Sequence, residues 1–415
     1  MLVYYIYIGG VDMIWNIKKA YYRANQGIFK FGMKFIKFKE QKVISEKNSI
    51  KKIASILKEK NINNVLLVSG KTITRLGLLN ELIESLKEEN IRYYLFNDVM
   101  ANPTIESVEA GVKKYEEAKA KGIIAFGGGS PMDCAKIIGA RVNNKNIQVK
   151  DMRGILKIRK NIPLFIAIPT TAGTGSESTV AAVITDSVNH EKYAIVDPKL
   201  MPDYAVLDPK LTVALPKQVT STTGMDALTH AIEAYIGNFG TKETNKNALK
   251  SIKIIFDNLE AAYSNGENLE ARNNMLIASN YAGLAFTRAN VGYVHAIAHA
   301  LGGIYGVSHG LANAIVLPYV LEYYKESIYK KLSEIAIYTG LGDEKEDNRI
   351  LYNKVLNKIK DMNSNMNIPN KVNELRKNDF EIITKRVMKE GNPGYPVPKI
   401  MNEEECIEIL KKLYK

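Results

Sequence analysis

Four of the five histidines in this chain fall in two short segments. His295, His299 and His309 lie in GYVHAIAHALGGIYGVSHG (292–310), and His230 lies in GMDALTHAIEAY, four residues after Asp226. Residues at i and i+4 share one face of a helix, so Asp226 pairs with His230 and His295 pairs with His299. One carboxylate with several imidazoles suits a divalent cation of intermediate hardness, Fe(II) or Zn(II). Spacing alone leaves any of the four imidazoles eligible as a ligand. The fifth, His190, reads as a loop histidine.

A second chemistry is written in Gly127-Gly128-Gly129-Ser130-Pro131, which follows an apolar run and opens a helical pattern. Glycines let backbone approach a ligand closely and accept positive φ. Ser130 is a good helix N-cap and Pro131 suits a first turn. Free N–H groups at the positive end of a helix dipole are a natural seat for a pyrophosphate. The run PTTAGTGSE (169–177) offers more small backbone and hydroxyls at a second strand end. The two loops together point to a dinucleotide, although neither is the G-x-G-x-x-G fingerprint.

The elements that must position these groups alternate. Helix is expected over 50–58, 74–89 and 103–119, and short apolar strands over 65–68, 91–96 and 123–126, which implies a parallel sheet with helices on its faces. From Leu164 to Leu207 the chain is strand-rich (LFIAIP, TVAAVIT, KYAIVD, YAVLD). Beyond about Leu215 only the helical period remains, so a division near 208–215 separates an α/β half from an all-helical half. GNPGYPVP (391–398) is a rigid turn before a last helix over 403–413. Residues 14–38 read as a basic amphipathic helix whose apolar positions include Ile17, Tyr21, Ile28, Phe31, Phe35 and Ile36, interrupted by Gly27 and Gly32. It could lie on a membrane surface or pack on a partner; docking on its own protein is the preferred reading.

Hydrophobic residues make up 46% of the 415, enough for a substantial core. No apolar run reaches the 18 or so residues of a membrane span. The apolar start lacks a basic segment before it and does not read as a secretory signal, and translation beginning at Met13 is an alternative. Two distant cysteines match no disulfide or metal framework, which favours a cytoplasmic setting. The net charge of +13 accompanies general lysine richness and no nucleic-acid motif, so no nucleic-acid partner is expected.

GGGSPMDCAK, PTTAGTGSESTVAAVITD, GMDALTHAIEAY and HAIAHALGG…SHG, in this order, resemble the iron-containing (group III) alcohol dehydrogenases of the dehydroquinate synthase-like superfamily. FNDVMANPTIESV resembles that family's second cofactor segment, and the likeness spans roughly residues 45–410. It implies an N-terminal extension (1–44), a Rossmann-like dinucleotide domain (45–212) and a helical metal-binding domain (213–415), with the active site in the cleft between. The implied metal ligands are Asp226, His230, His295 and His309, with His299 beside the nicotinamide as the catalytic histidine. Gly302-Gly303 then reads as the turn that brings His309 back. Gly127, Gly128, Gly129 and Ser130 would hold the pyrophosphate. Asp133, Thr170, Thr171, Thr174 and Thr179 would line the cofactor cleft, with Asn102 near the adenosine and Lys192 near the ribose. A homodimer is the family's common minimum.

One departure bears on the cofactor. Many members carry Val-Thr-Asp after the first strand, whereas here it is Val68-Ser69-Gly70-Lys71. An aspartate there would repel a 2′-phosphate; Gly70 makes room and Lys71 or Arg75 could pair with it. NADP(H) is therefore expected over NAD(H). The expected substrate is a short-chain primary alcohol or its aldehyde, such as butanol or butyraldehyde. The competing readings are a glycerol or propanediol dehydrogenase, a lactaldehyde reductase, a dehydroquinate synthase-like lyase, and a non-catalytic assembly module.

Overall fold

The apolar run Val65 to Val68 is wholly buried, as a strand covered on both faces must be. In the computed structural model, residues 2–188 and 191–415 are described, with side chains from Met13 onward; His190 lies outside the described residues. Helix α1 (Leu2–Met33) precedes β1 (Lys42–Ser45), α2 (Lys52–Glu59), β2 (Asn64–Val68), α3 (Lys71–Arg75), α4 (Asn80–Glu88), β3 (Arg92–Phe96), α5 (Ile105–Glu117), β4 (Gly122–Gly127) and α6 (Gly129–Asn143). Then come β5 (Gly154–Ile155), β6 (Leu164–Pro169), β7 (Ala181–Asp186), β8 (Glu191–Val196) and β9 (Tyr204–Leu207).

Strands β1, β9, β6, β4, β2 and β3 lie side by side in that order, every pair parallel. Successive side chains of β4 serve opposite faces. Ile123 and Ala125 join the apolar layer containing Val108, Cys134 and Ile138, while Ile124 and Phe126 join the one containing Ile53, Leu57 and Leu82. The strands read from the sequence are present, but β7 and β8 leave the main sheet and form a separate antiparallel pair flanked by β5. The single helix expected over 74–89 is two, because Gly77 takes φ +69° between α3 and α4.

Beyond Leu207 the described residues hold no strand. Helices α7 (Lys217–Ile236), α8 (Lys242–Ser264), α9 (Leu269–Ala289), α10 (Tyr293–Tyr305), α11 (His309–Tyr324), α12 (Tyr329–Thr339), α13 (Asn348–Asn365), α14 (Phe380–Gly391) and α15 (Glu403–Leu413) follow. By contacts the chain forms two compact units, and they are not consecutive segments. One comprises Lys37–Leu228 and Lys250–Thr287; the other comprises Met1–Ile36, Thr229–Leu249 and Arg288–Lys415. The change from strand to helix near 208–215 is therefore not where the packing divides. The reason is visible at α9, which meets the 169–177 loop backbone to backbone. A Cβ on Gly175 would lie 2.9 Å from the Gly283 Cα, and one on Gly283 would lie 2.7 Å from the Gly175 carbonyl oxygen. Ser178 Oγ donates to the Asn280 carbonyl, and Thr287 Oγ1 accepts from the Val180 N–H.

Helix α1 docks within its own unit, as preferred from the sequence. The Arg23 guanidinium donates to the carbonyls of Val397 and Pro398, Gln26 donates to those of Pro393 and Tyr395, and Phe29 stacks on Phe239 at 5.6 Å. The helix passes through Gly27 and Gly32 and stops at Met33, before the expected end at residue 38. There the ladder tightens to i→i+3 bonds, from Lys34 N–H to Phe31 and from Phe35 N–H to Gly32. Cys134 and Cys406 are free and buried, and burial pushes each thiol up to about 12. Among the described residues, no helix is long and apolar enough to cross a membrane.

Because a side chain at residue 283 must displace backbone, Gly283→Val should lower unfolding stability by about 1–3 kcal/mol through overpacking. Urea denaturation of the two proteins checks this.

Candidate metal and nucleotide sites

Helix α7 is buried over most of its length, yet Asp226, His230 and Glu233 on one of its faces are polar and only 2–5% exposed. Buried charge of this kind is costly unless it is paired or coordinates a metal. His295, 2% exposed, stands in the first turn of α10, and His309 opens α11. The turn between these helices is not at Gly302-Gly303, through which α10 continues. Gly306 ends the helix in the left-handed conformation (φ +72°), and Ser308, extended and without a side-chain cap bond, precedes the next.

One ligand atom each from Asp226, His230, His295 and His309 can be chosen so that all lie within 4.8 Å of one another. A tetrahedral ion with bonds of about 2.0–2.2 Å holds its donors about 3.3–3.6 Å apart, so these four side chains need to draw in by about 1 Å to hold a divalent cation, and a substrate or water oxygen would be a fifth ligand. The ring centres agree: His230 to His295 is 4.5 Å and His295 to His309 is 5.3 Å. His299 is not part of this set. Its side chain is 44% exposed, its ring stacks on His309 at 5.1 Å, and its Nδ1 meets Glu390 Oε1 at 2.6 Å. Glu390 also accepts from the Tyr395 hydroxyl at 2.6 Å.

The residue that sequence reasoning passed over is Glu233. Its Oε2 meets His295 Nδ1 at 2.6 Å, and the carboxylate accepts the N–H groups of Gly292 and Val294 at 2.8 Å each. It thus caps α10 from another helix, satisfying N–H groups that a helix start leaves unpaired. Holding the Nδ1 proton leaves the His295 Nε2 lone pair for a metal, a carboxylate–histidine–metal arrangement. Asn313 supports the same tautomer, since its Nδ2 lies 3.2 Å from Nε2 of both His295 and His309. Burial, with neighbouring His230 and His309, holds the His295 imidazole well below its ordinary range. Burial also pushes Glu233 up to about 7, against the pull of its N–H donors. The missed signal was the i, i+4, i+7 series Asp226, His230, Glu233.

Gly127 ends β4 at φ +150°, and a Cβ there would meet the Pro131 ring at 2.8 Å. The helix N-cap is Gly128 in extended conformation, with no side-chain cap; Ser130 sits inside the first turn of α6, so its expected capping role falls to Gly128. Thr171 packs over Gly128 and Thr174 over Gly129, where a Cβ would meet Thr174 at 3.2 Å. The Thr170 N–H donates to the Gly127 carbonyl. The two loops read separately in the sequence are therefore one surface.

Beneath it lies a buried network. Asp133 accepts from the Ser176 hydroxyl and the Val183 N–H. Lys136 Nζ, with no exposure, donates to Ser176, Thr179 and the Ala181 carbonyl at 2.8–3.1 Å. Burial lowers the Lys136 amine to about 8 and raises Glu177 to about 7. The side chains of Asp133 and Thr179 thus brace the loop from within. Lys192 Nζ donates to Asn102 Oδ1 at 2.9 Å, joining two of the expected cofactor contacts, and Asn102 holds φ +58°. Gly70 precedes α3 and bridges to Asp98, whose carboxylate pairs with Lys71 at 2.9 Å.

The fold and this donor set are those of a parallel-sheet α/β protein with a candidate metal centre, and comparison with known proteins gives the family. The iron-containing alcohol dehydrogenase pattern matches residues 40–209, and the C-terminal pattern of the Fe-containing alcohol dehydrogenase family matches residues 220–414. The chain belongs to the iron-containing alcohol dehydrogenase family. It is 36% identical over 371 residues to alcohol dehydrogenase 4 of Saccharomyces cerevisiae, covering 88% of this chain and 95% of that one. It is 34% identical over 353 residues to the 1,3-propanediol dehydrogenase of Citrobacter freundii, covering 84% and 91%. A crystal structure of 1,3-propanediol oxidoreductase superposes with a TM-score of 0.87 at 32% identity, covering 91% of this chain and all of that one.

Replacing Glu233 with Gln keeps its size but leaves one neutral acceptor oxygen where Gly292, Val294 and the His295 ring share two charged ones. Glu233→Gln should weaken metal binding 10- to 100-fold, as measured by chelator competition on anaerobically prepared protein, with far-UV circular dichroism unchanged.

Proposed function

We propose that the chain is an iron-dependent alcohol dehydrogenase or aldehyde reductase, acting on a short-chain primary alcohol or aldehyde and preferring NADP(H). The observation that carries this reading is the donor cluster of Asp226, His230, His295 and His309, with His295 oriented by Glu233. A metal bound by that set supplies Lewis-acid polarisation of the substrate oxygen, and a nicotinamide supplies or accepts the hydride. Iron is preferred on family grounds, with zinc the second candidate for the same donors. The likeness to propanediol dehydrogenases favours a small, unbranched substrate such as butanol, butyraldehyde or a propanediol.

The chain's own residues supply the rest. His299 takes or gives the proton at the substrate oxygen, its Nδ1 held by Glu390 and Glu390 in turn by Tyr395. The N–H groups of Gly128 to Ser130 bind the pyrophosphate at the start of α6. Asp133, Thr170, Thr171, Thr174 and Thr179 shape the cofactor surface, and Asn102 with Lys192 meet the adenosine ribose. Gly70 leaves space for a 2′-phosphate. Lys71 is engaged by Asp98, but an exposed pair of this kind contributes at most about 1 kcal/mol and a phosphate dianion can displace it. Arg75, exposed on the same short helix, is the second candidate cation. The protein acts in the cytoplasm as a homodimer or higher homo-oligomer.

A panel of short aldehydes assayed with Fe(II) by NADPH and NADH absorbance should show the higher kcat/KM with NADPH. Gly70→Asp should shift the ratio toward NADH, since the new Cβ meets only the Val99 carbonyl, at 3.3 Å. A clear NADH preference in the parent protein would end the NADP reading.

His299→Ala should retain the metal and lower kcat about 10²- to 10⁴-fold. His230→Ala and His309→Ala should lose both metal and turnover. Loss of metal in His299→Ala with retention in His295→Ala would reverse the ligand assignment.

A further inference from the structure

We propose that α1 pairs with the α1 helix of a second copy of this chain, through an apolar seam on the face turned away from its own protein. The docked face carries Arg23, Gln26 and Phe29, of which Gln26 is 5% exposed. On the opposite face Ile14, Ile17, Tyr21, Ile28 and Phe31 are 55–73% exposed. With Ala24 they recur at alternating intervals of three and four residues, the a and d positions of successive heptads. Phe35, in the turn after the helix, continues the series and meets Phe31 edge-on at 5.2 Å.

Single exposed apolar side chains need no explanation, but a register kept from residue 14 to residue 35 does. A strict seven-residue repeat drifts around a straight helix by about 20° per heptad. It stays in contact along its length only when a second helix winds about it. The positions beside the seam are Ala20, Asn25, Gly27 and Gly32, small or polar, with Lys18 and Lys34 near the ends and Met13 the one apolar neighbour. That leaves a stripe narrower than the apolar face, about 100° or wider, of an ordinary amphipathic helix. The exposed apolar area along the seam is on the order of 800 Å² per chain, which is the contribution each partner makes to a standard interface. Residues 13–39 contain no carboxylate, so the surface offers nothing specific to a basic partner.

This inference names a surface for the homo-oligomer proposed above and is independent of the reaction. The test uses the full chain, with mass measured by light scattering across a concentration series. The Ile17→Lys/Ile28→Lys variant should have half the mass of the parent, with circular dichroism and turnover unchanged. Independently, Ala24→Cys should cross-link two copies under copper phenanthroline, and Asn16→Cys, off the seam, should not. A parent mass of 46.4 kDa would remove both the homo-oligomer and the seam. An oligomeric mass unmoved by the two lysines would remove the seam alone. Seam-dependent co-sedimentation with phosphatidylcholine–phosphatidylserine vesicles, without self-association, would assign the face to lipid and overturn the proposal.

Discussion

Much of the helical chemistry rests on one buried carboxylate. Glu233 comes from α7, but its oxygens are spent on α10, where two backbone N–H groups and the His295 ring need acceptors at the same place. Removing any of these partners would leave a buried charge or a buried donor uncompensated, which is far costlier than the bonds are individually worth. The start of α10 and the orientation of His295 are therefore one constraint. Because Asp226, His230 and Glu233 share a helix face, positioning Glu233 also positions two of the candidate ligands. A histidine held neutral by burial and fixed in tautomer points its Nε2 lone pair into the cluster, where the Asn313 amide meets it.

The glycine-rich turn after β4 rests on the same device with the sign reversed. Lys136 is a buried cation surrounded by hydroxyls and a carbonyl, with Asp133 and Glu177 as the nearby acids. It ties α6 to the 176–181 segment from beneath, so the glycine turn above can keep its backbone bare of side chains. Thr171 and Thr174 pack against those glycines from the other loop, and Gly175 lets α9 close in behind. The loop is shaped by side chains that themselves face inward.

What could be read in the sequence follows from what leaves a local trace. Period-two and period-3.6 patterns placed the strands and most helices, because each element buries one face or both. A metal-binding cluster was legible because histidine is scarce here and Asp226 and His230 share a helical spacing, but only the family resemblance set His299 apart from the other three. Glu233 was missed although it continues that spacing, since an acidic residue in a long helix is unremarkable until its burial is known. Glu390, Tyr395 and Asn313 were illegible because their partners are close only in three dimensions. The turn to His309 was placed at Gly302-Gly303, yet both fit within a helix, and only Gly306 needs the left-handed conformation. The α9 packing depends on Gly175 meeting Gly283, more than a hundred residues away, which no local period encodes.

The two cysteines give the protein a particular chemical temperament. Cys134 lies in α6 and Cys406 in the last helix, both enclosed and both with thiols that resist ionisation. Thiolate, not thiol, reacts with peroxide and alkylating agents. In the folded chain neither sulfur offers such reagents a foothold, so oxidants must damage this protein by some route other than its thiols. A sulfhydryl probe would then report on unfolding and on little else.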